Sequence, residues 1–173
     1  MQAYTVATFK QKLQEDITLL DTRQADIFTE GFVPGSISIG LEGRFAEWSV
    51  SLLTLDKPLL LITEIGKEEE TQGKLSKIGF LKIDGYLDGG FEAWNAAGEK
   101  VDMIINVDAD EVAMDLPFDT NLQVVDVRLE TEFAEGHIKG AINMPLNNMT
   151  DLALLAGFED NQNLYVQCGG GYR

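Results

Sequence analysis

The sequence predicts an α/β protein in which one module is used twice, each module a parallel sheet flanked by helices. Three observations carry this. A 21-residue stretch recurs 105 residues later without a gap. Short apolar runs alternate with helical patterns through both halves. Glycine-centred breakers fall between them at matching places.

The repeat sets Leu19–Ile39 (LLDTRQADIFTEGFVPGSISI) on Val124–Met144 (VVDVRLETEFAEGHIKGAINM). Seven of the 21 positions are identical: Asp21/Asp126, Arg23/Arg128, Phe28/Phe133, Glu30/Glu135, Gly31/Gly136, Gly35/Gly140 and Ile37/Ile142. The same 105-residue offset lays Pro58–Glu68 (PLLLITEIGKE) over Asn163–Arg173 (NLYVQCGGGYR) and brings Thr63 onto Cys168. So long a period marks a duplicated domain and not a solenoid. The expected division is 1–101 and 102–173, with Glu99–Asp110 as linker and entry to the second repeat.

The elements of the first repeat follow from periodicity and breakers. Val6, Phe9 and Leu13 share one helical face, so Val6–Leu13 is a helix. Ile17–Leu20, Ser36–Ile39, Leu59–Ile62 and Lys82–Tyr86 are short strands. Gln24–Glu30, Arg44–Leu53, Glu68–Ile78 and Gly90–Ala97 are helices. The second repeat runs in the same order: helix Ala109–Leu116, strand Leu122–Asp126, helices near Glu130–Glu135 and Asn147–Ala156, strand Leu164–Gln167. The first repeat continues about thirty residues past Thr63, the second only five past Cys168. The second repeat is therefore expected to be incomplete, its chain continuing past Arg173 in the full protein.

Composition narrows the function. The 173 residues suit one ordinary domain or two small ones, and 45% are hydrophobic, enough for a packed core. Net charge is −16, which repels nucleic acid and anionic membrane surfaces. One cysteine forbids an intrachain disulfide and suits a reducing compartment. No apolar run approaches the ~20 residues of a membrane span, and the N-terminus lacks the apolar core of a signal peptide. A cytoplasmic location is the expectation.

Three motifs resemble the rhodanese (sulfurtransferase) family. Asp126–Arg128 (DVR) followed by Glu132–Pro145 (EFAEGHIKGAINMP) is similar to its first signature. Cys168–Arg173 (CGGGYR) looks like its active-site loop, and Ile78–Trp94, with GGFEAW, like its closing segment. The resemblance implies a five-stranded parallel sheet in each module and a pairing of one inactive with one active module. Similar tandem modules follow metallo-β-lactamase-like hydrolase domains in some bacterial proteins. This leaves two functions: a sulfurtransferase, or a non-catalytic accessory module of a larger hydrolase.

The loop suits sulfur transfer. A free cysteine has a pKa near ~8.5, so it needs help to ionise. A strand-to-helix loop aims backbone N–H groups at an anion, which would favour a Cys168 thiolate and its persulfide. Gly169, Gly170 and Gly171 are expected to give the loop a tight, positive-φ path. Arg173 supplies a permanent cation that lowers the thiol pKa and attracts an anionic donor. Tyr172 shields the loop or fills space. The expected ligands are a small anionic sulfur donor and a thiol or cyanide acceptor, with no cofactor. A metal site is not expected from one histidine and one cysteine.

Other readings of the same residues are weaker. Tyrosine phosphatases place arginine one position further from cysteine, so this loop is short for a phosphoryl group. Gln167 stands where those enzymes have histidine. His137 reads as a structural hydrogen-bonding residue. The Asp126–Arg128 pair recurs as Asp21–Arg23 in the repeat without cysteine, which favours a structural role. Thr63 cannot carry a persulfide, and Glu64 sets the wrong field for an anion, so the first repeat is expected to be non-catalytic.

Overall fold

A computed structural model describes residues 1–149, 156–158 and 161–170. The chain forms two compact units, Met1–Asn106 and Val107–Arg173.

Unit 1 holds β1 (Gln2–Tyr4), α1 (Val6–Lys12), β2 (Thr18–Asp21), α2 (Ala25–Glu30), β3 (Ile37–Ser38), α3 (Phe45–Leu52), β4 (Leu59–Ile62), α4 (Glu68–Lys77), β5 (Ile83–Leu87) and α5 (Gly90–Ala96). Its strands make one parallel sheet in the order β1-β5-β4-β2-β3. The central strand β4 is LLLI with every residue fully buried, as a strand covered on both faces requires. On one face Leu20, Leu59 and Leu61 pack with Phe45, Leu75 and Phe80. On the other, Leu60 and Ile62 pack with Phe9, Leu87 and Trp94.

Strand β1 was not expected from sequence. Its place depends on Gly85 of β5: a Cβ there would lie 2.4 Å from the Tyr4 ring and 2.5 Å from the Gln2 carbonyl oxygen. Gly85→Ala should therefore push β1 off the sheet and cost about 1–3 kcal/mol. Urea unfolding followed by tryptophan fluorescence checks this, since Trp48 and Trp94 both lie in unit 1. An unchanged midpoint would refute it.

The stretch expected as linker divides in two. Phe32 and Asp102 form an antiparallel bridge, and Ile104 N–H donates to the Thr29 carbonyl at 2.9 Å. Residues 102–106 thus belong with unit 1. Asp108 then caps the first helix of unit 2, its N–H bonded to the Glu111 carboxylate at 3.0 Å.

Unit 2 holds α6 (Ala109–Asp115), β6 (Leu122–Asp126), α7 (Glu130–Glu135), β7 (Ile142–Asn143), a 3-10 turn (Leu146–Asn148) and β8 (Asn163–Gln167). The strands form a parallel sheet in the order β7-β6-β8. Its described apolar core is Val125, Val127 and Met144. Where the sequence leads to a helix over Asn147–Ala156, the structure has the 3-10 turn Leu146–Asn148, and residues 150–155 lie outside the described ones. Among the described residues no helix is long and apolar enough to cross a membrane.

The duplication holds at the level of single hydrogen bonds. Leu20 pairs with Ile37 and Asp21 with Ser38; Val125 pairs with Ile142 and Asp126 with Asn143. Ile39 N–H donates to the Asp21 carbonyl at 2.9 Å, and Met144 N–H to the Asp126 carbonyl at 2.9 Å. Gly35 and Gly140 both turn the chain at φ 85°.

Candidate functional site

In each unit the chain leaves one central strand to one side and returns on the other. From β6 it goes to β7, then comes back to β8 on the opposite flank. Such a switch in direction opens a crevice beyond the carboxyl ends of the two central strands, where α/β proteins bind ligands. In unit 2 those ends are Asp126 and Gln167, and the residue that follows Gln167 is Cys168. The sheet topology alone therefore puts the chain's one thiol at the crevice.

Cys168 is half-buried and packs against the Val125–Val127–Met144 core. Its strand is fixed below it: Val127 N–H donates to the Gln167 carbonyl at 2.9 Å. The thiol thus rests on a rigid strand end with apolar support beneath. Gly169 and Gly170 follow, and a Cβ on Gly170 would meet nothing within 4 Å. Neither is among the described glycines with positive φ. In unit 1 the loop turns instead at Gly66, with φ 87°. Its counterpart Gly171, with Tyr172 and Arg173, lies outside the described residues.

Beside the crevice sits the Asp–Arg pair. Asp126 accepts from the Arg128 backbone N–H at 3.0 Å, from Nε at 3.0 and 3.1 Å, and from Nη2 at 2.7 Å. Nη2 also donates to the Gly136 carbonyl at 2.8 Å. Unit 1 repeats every one of these bonds with Asp21, Arg23 and the Gly31 carbonyl. Because the pair recurs beside a threonine, it fixes the strand-to-helix turn and is not itself the reactive feature. His137 is structural too: its Nδ1 lies 2.8 Å from the Phe133 carbonyl and its ring stacks on Phe133.

One contact has no counterpart in unit 1. Gln167 Nε2 donates to Asp126 Oδ2 at 3.0 Å, tying the residue before the cysteine to the buried pair. Ile62 occupies that position in β4. Sequence reading passed over Gln167 as a positioning residue. The signal was there: an amide where the repeat has an apolar core residue.

The two aspartates differ electrostatically. Burial pushes the Asp126 carboxyl up, but the hydrogen bonds and charge of Arg128 outweigh it and hold the carboxyl below the usual range. Burial also pushes Asp21 up, and there the pull of Arg23 does not fully offset it. A depressed folded-state pKa gives stability that is present above the unfolded value, ~3.9, and lost as pH falls through the folded value. Unit 2 should therefore weaken as pH drops below about 4, and Asp126→Asn should flatten that dependence. Amide exchange at Val124 and Val125 across an acid series measures this; an equal slope in the variant would contradict it.

The Thr63 loop of unit 1 differs from the cysteine loop in its charges and its free donors. Thr63 is buried, and the Gly66 N–H already donates to the Glu68 carboxylate at 3.1 Å. Glu68 stands where the second repeat has Arg173, so the charge is inverted.

The family model described as rhodanese-like domain matches residues 5–97 and again 108–173. Three solved structures are similar in fold. The rhodanese-like domain of an Anabaena protein is 20% identical, covers 62% of this chain and 89% of its own, and gives a TM-score of 0.53. Thiosulfate sulfurtransferase from Pseudomonas aeruginosa is 20% identical over 97% of this chain and 36% of that one, with a TM-score of 0.53. The 3-mercaptopyruvate sulfotransferase SseA of Escherichia coli is 17% identical over 95% of this chain and 86% of that one, at 0.51. No curated protein gives a sequence match. The matches to both repeats, on a sheet whose switch point carries the cysteine loop, establish that the chain belongs to the rhodanese-like domain family.

Proposed function

We propose that unit 2 is a sulfurtransferase centre acting through Cys168, and that unit 1 is non-catalytic. The observation that carries this is the position of Cys168 at the end of β8, at the switch point, where unit 1 has Thr63. In the first half-reaction the Cys168 thiolate attacks the outer sulfur of thiosulfate or a related donor. The donor's S–S bond breaks, and sulfite leaves with the bonding pair. In the second, an acceptor thiolate or cyanide attacks the terminal sulfur of the persulfide, and Cys168 departs as thiolate. No metal and no general base takes part once the thiol is ionised. Gly169, Gly170 and Gly171 would line the anion cradle, Arg173 would add the positive field, and Tyr172 would close one side.

The decisive experiment incubates the protein with thiosulfate and seeks the added mass of one sulfur atom on the Cys168 peptide, with sulfite released in equal amount. Failure to load any sulfane donor on Cys168 would end this reading.

Gln167 enters as a positioning residue. Gln167→Ile, the residue of the first repeat, removes a hydrogen bond to a charged partner worth ~1.5–3 kcal/mol. Sulfur loading should slow by roughly tenfold to a hundredfold, with Gln167→Glu failing to restore it because its carboxylate would face Asp126. A merely structural role would lower the unfolding midpoint and leave the loading rate of the folded protein unchanged.

A further inference from the structure

One face of the unit 1 sheet, formed by Leu20, Leu59 and Leu61, is covered by α3 and α4, which touch each other. Helical spacing sets what each helix buries. On α3, Phe45 turns inward and Ser49 follows one turn later. On α4, Leu75 turns inward and Thr71 precedes it by one turn. Ser49 and Thr71 are both 0% exposed, as deep as Leu75 itself. Each helix therefore carries a hydroxyl where a core position calls for an apolar side chain.

These hydroxyls have no protein partner. Among the described residues, three buried side-chain polar atoms make no hydrogen bond: Ser49 Oγ, Thr71 Oγ1 and Trp48 Nε1. All three belong to this pair of helices, and Trp48 packs on the same core. A serine or threonine inside a helix can turn its hydroxyl back to the carbonyl four residues earlier, and neither does so here. Each such group loses its hydration on folding with nothing to offset it. Native packing leaves few of them, and here they share one helix pair. The repeated module does not require them: the 105-residue offset sets Ala153 and Leu154 on Trp48 and Ser49, neither with a polar side-chain atom.

We propose that the seam between α3 and α4 is a binding site for one internal water molecule. The water bridges the Ser49 and Thr71 hydroxyls and accepts the Trp48 indole hydrogen. Three polar partners are what a buried water typically has. Their types fit as well, since the indole only donates whereas the hydroxyls donate and accept. The water thereby ties α4, the helix that follows the Thr63 loop, to α3. The inference concerns unit 1 and is independent of sulfur transfer.

The test compares Ser49→Ala, Thr71→Val and the double variant by urea unfolding followed by tryptophan fluorescence. A shared water makes each single variant less stable, because the water loses an anchor and the other hydroxyl is left short of a partner. The unfolding constant should rise by on the order of tenfold in each. The double variant expels the water and should be no less stable than the weaker single variant, so the two effects do not add. In the unsubstituted chain, a water-selective NOE measurement should show a long-lived water at the Trp48 indole N–H, and the double variant should lose it. Single variants more stable than the parent would overturn the proposal, since they mark hydroxyls that are simply unpaired. Additive effects would overturn it too, because they mark hydroxyls satisfied in separate places. Coupling without the water signal would replace the water by a direct bond between the two hydroxyls.

Discussion

Replacing Cys168 with serine is expected to reduce sulfur loading to background while leaving the fold intact. A hydroxyl is not ionised near neutral pH, and a Ser–O–S adduct has no stable persulfide equivalent. Cys168 is only half-buried and at the end of β8, so the isosteric change leaves its packing against Val127 and Met144 in place. The sharper half of the prediction concerns unit 1. Thr63→Cys in the Cys168→Ser background should not recover activity. Thr63 is buried, Glu64 follows it where Gly169 follows Cys168, and Glu68 already occupies the Gly66 N–H. A thiolate there would meet like charge and a filled cradle. Mass spectrometry of both variants after thiosulfate treatment reads the outcome. A loaded Cys at position 63 would show that the loop backbone alone suffices and that the charge inversion is irrelevant.

Most of this architecture was legible because the chain states it twice. β4 is readable from LLLI alone, and its alignment with Leu164–Gln167 transfers the assignment to a strand whose own pattern is weaker. β1 escaped because three residues with a polar start carry no period; its existence depends on the edge of β5 and the missing Cβ of Gly85. β7 escaped because two residues make a strand only through their ladder with Val125 and Asp126. Residues 102–106 read as linker because the bridge to Phe32 is a tertiary event with no local signature. At the site, Cys168 and its glycines stood out by composition. Gln167 did not, since its meaning lies in a bond to Asp126, 41 positions earlier.

Asp21→Ala is expected to be the most damaging single change in unit 1. The carboxylate is fully buried and the Arg23 side chain is only 3% exposed. Removing the acid leaves a guanidinium with the Gly31 carbonyl and the Phe91 ring as its remaining partners. Breaking one side of such a buried pair costs about 3–5 kcal/mol, a large share of the ~5–15 kcal/mol that holds a domain together. Urea unfolding monitored by tryptophan fluorescence reads unit 1 alone. The double change Asp21→Leu with Arg23→Met should be far milder, because it removes the stranded charge instead of exposing it to an apolar site. If the double variant were as unstable as the single one, the pair would be contributing its own net attraction. If the single variant were unperturbed, Arg23 would be reaching water by a route that its burial does not show. The same substitution at Asp126 should cost less, since Arg128 is already 17% exposed and can hydrate in place. It would still release Gln167, so its signature is lost sulfur loading at modest loss of stability. One repeated ion pair thus serves folding in both units, and under the proposed function it would reach the chemistry in only one of them.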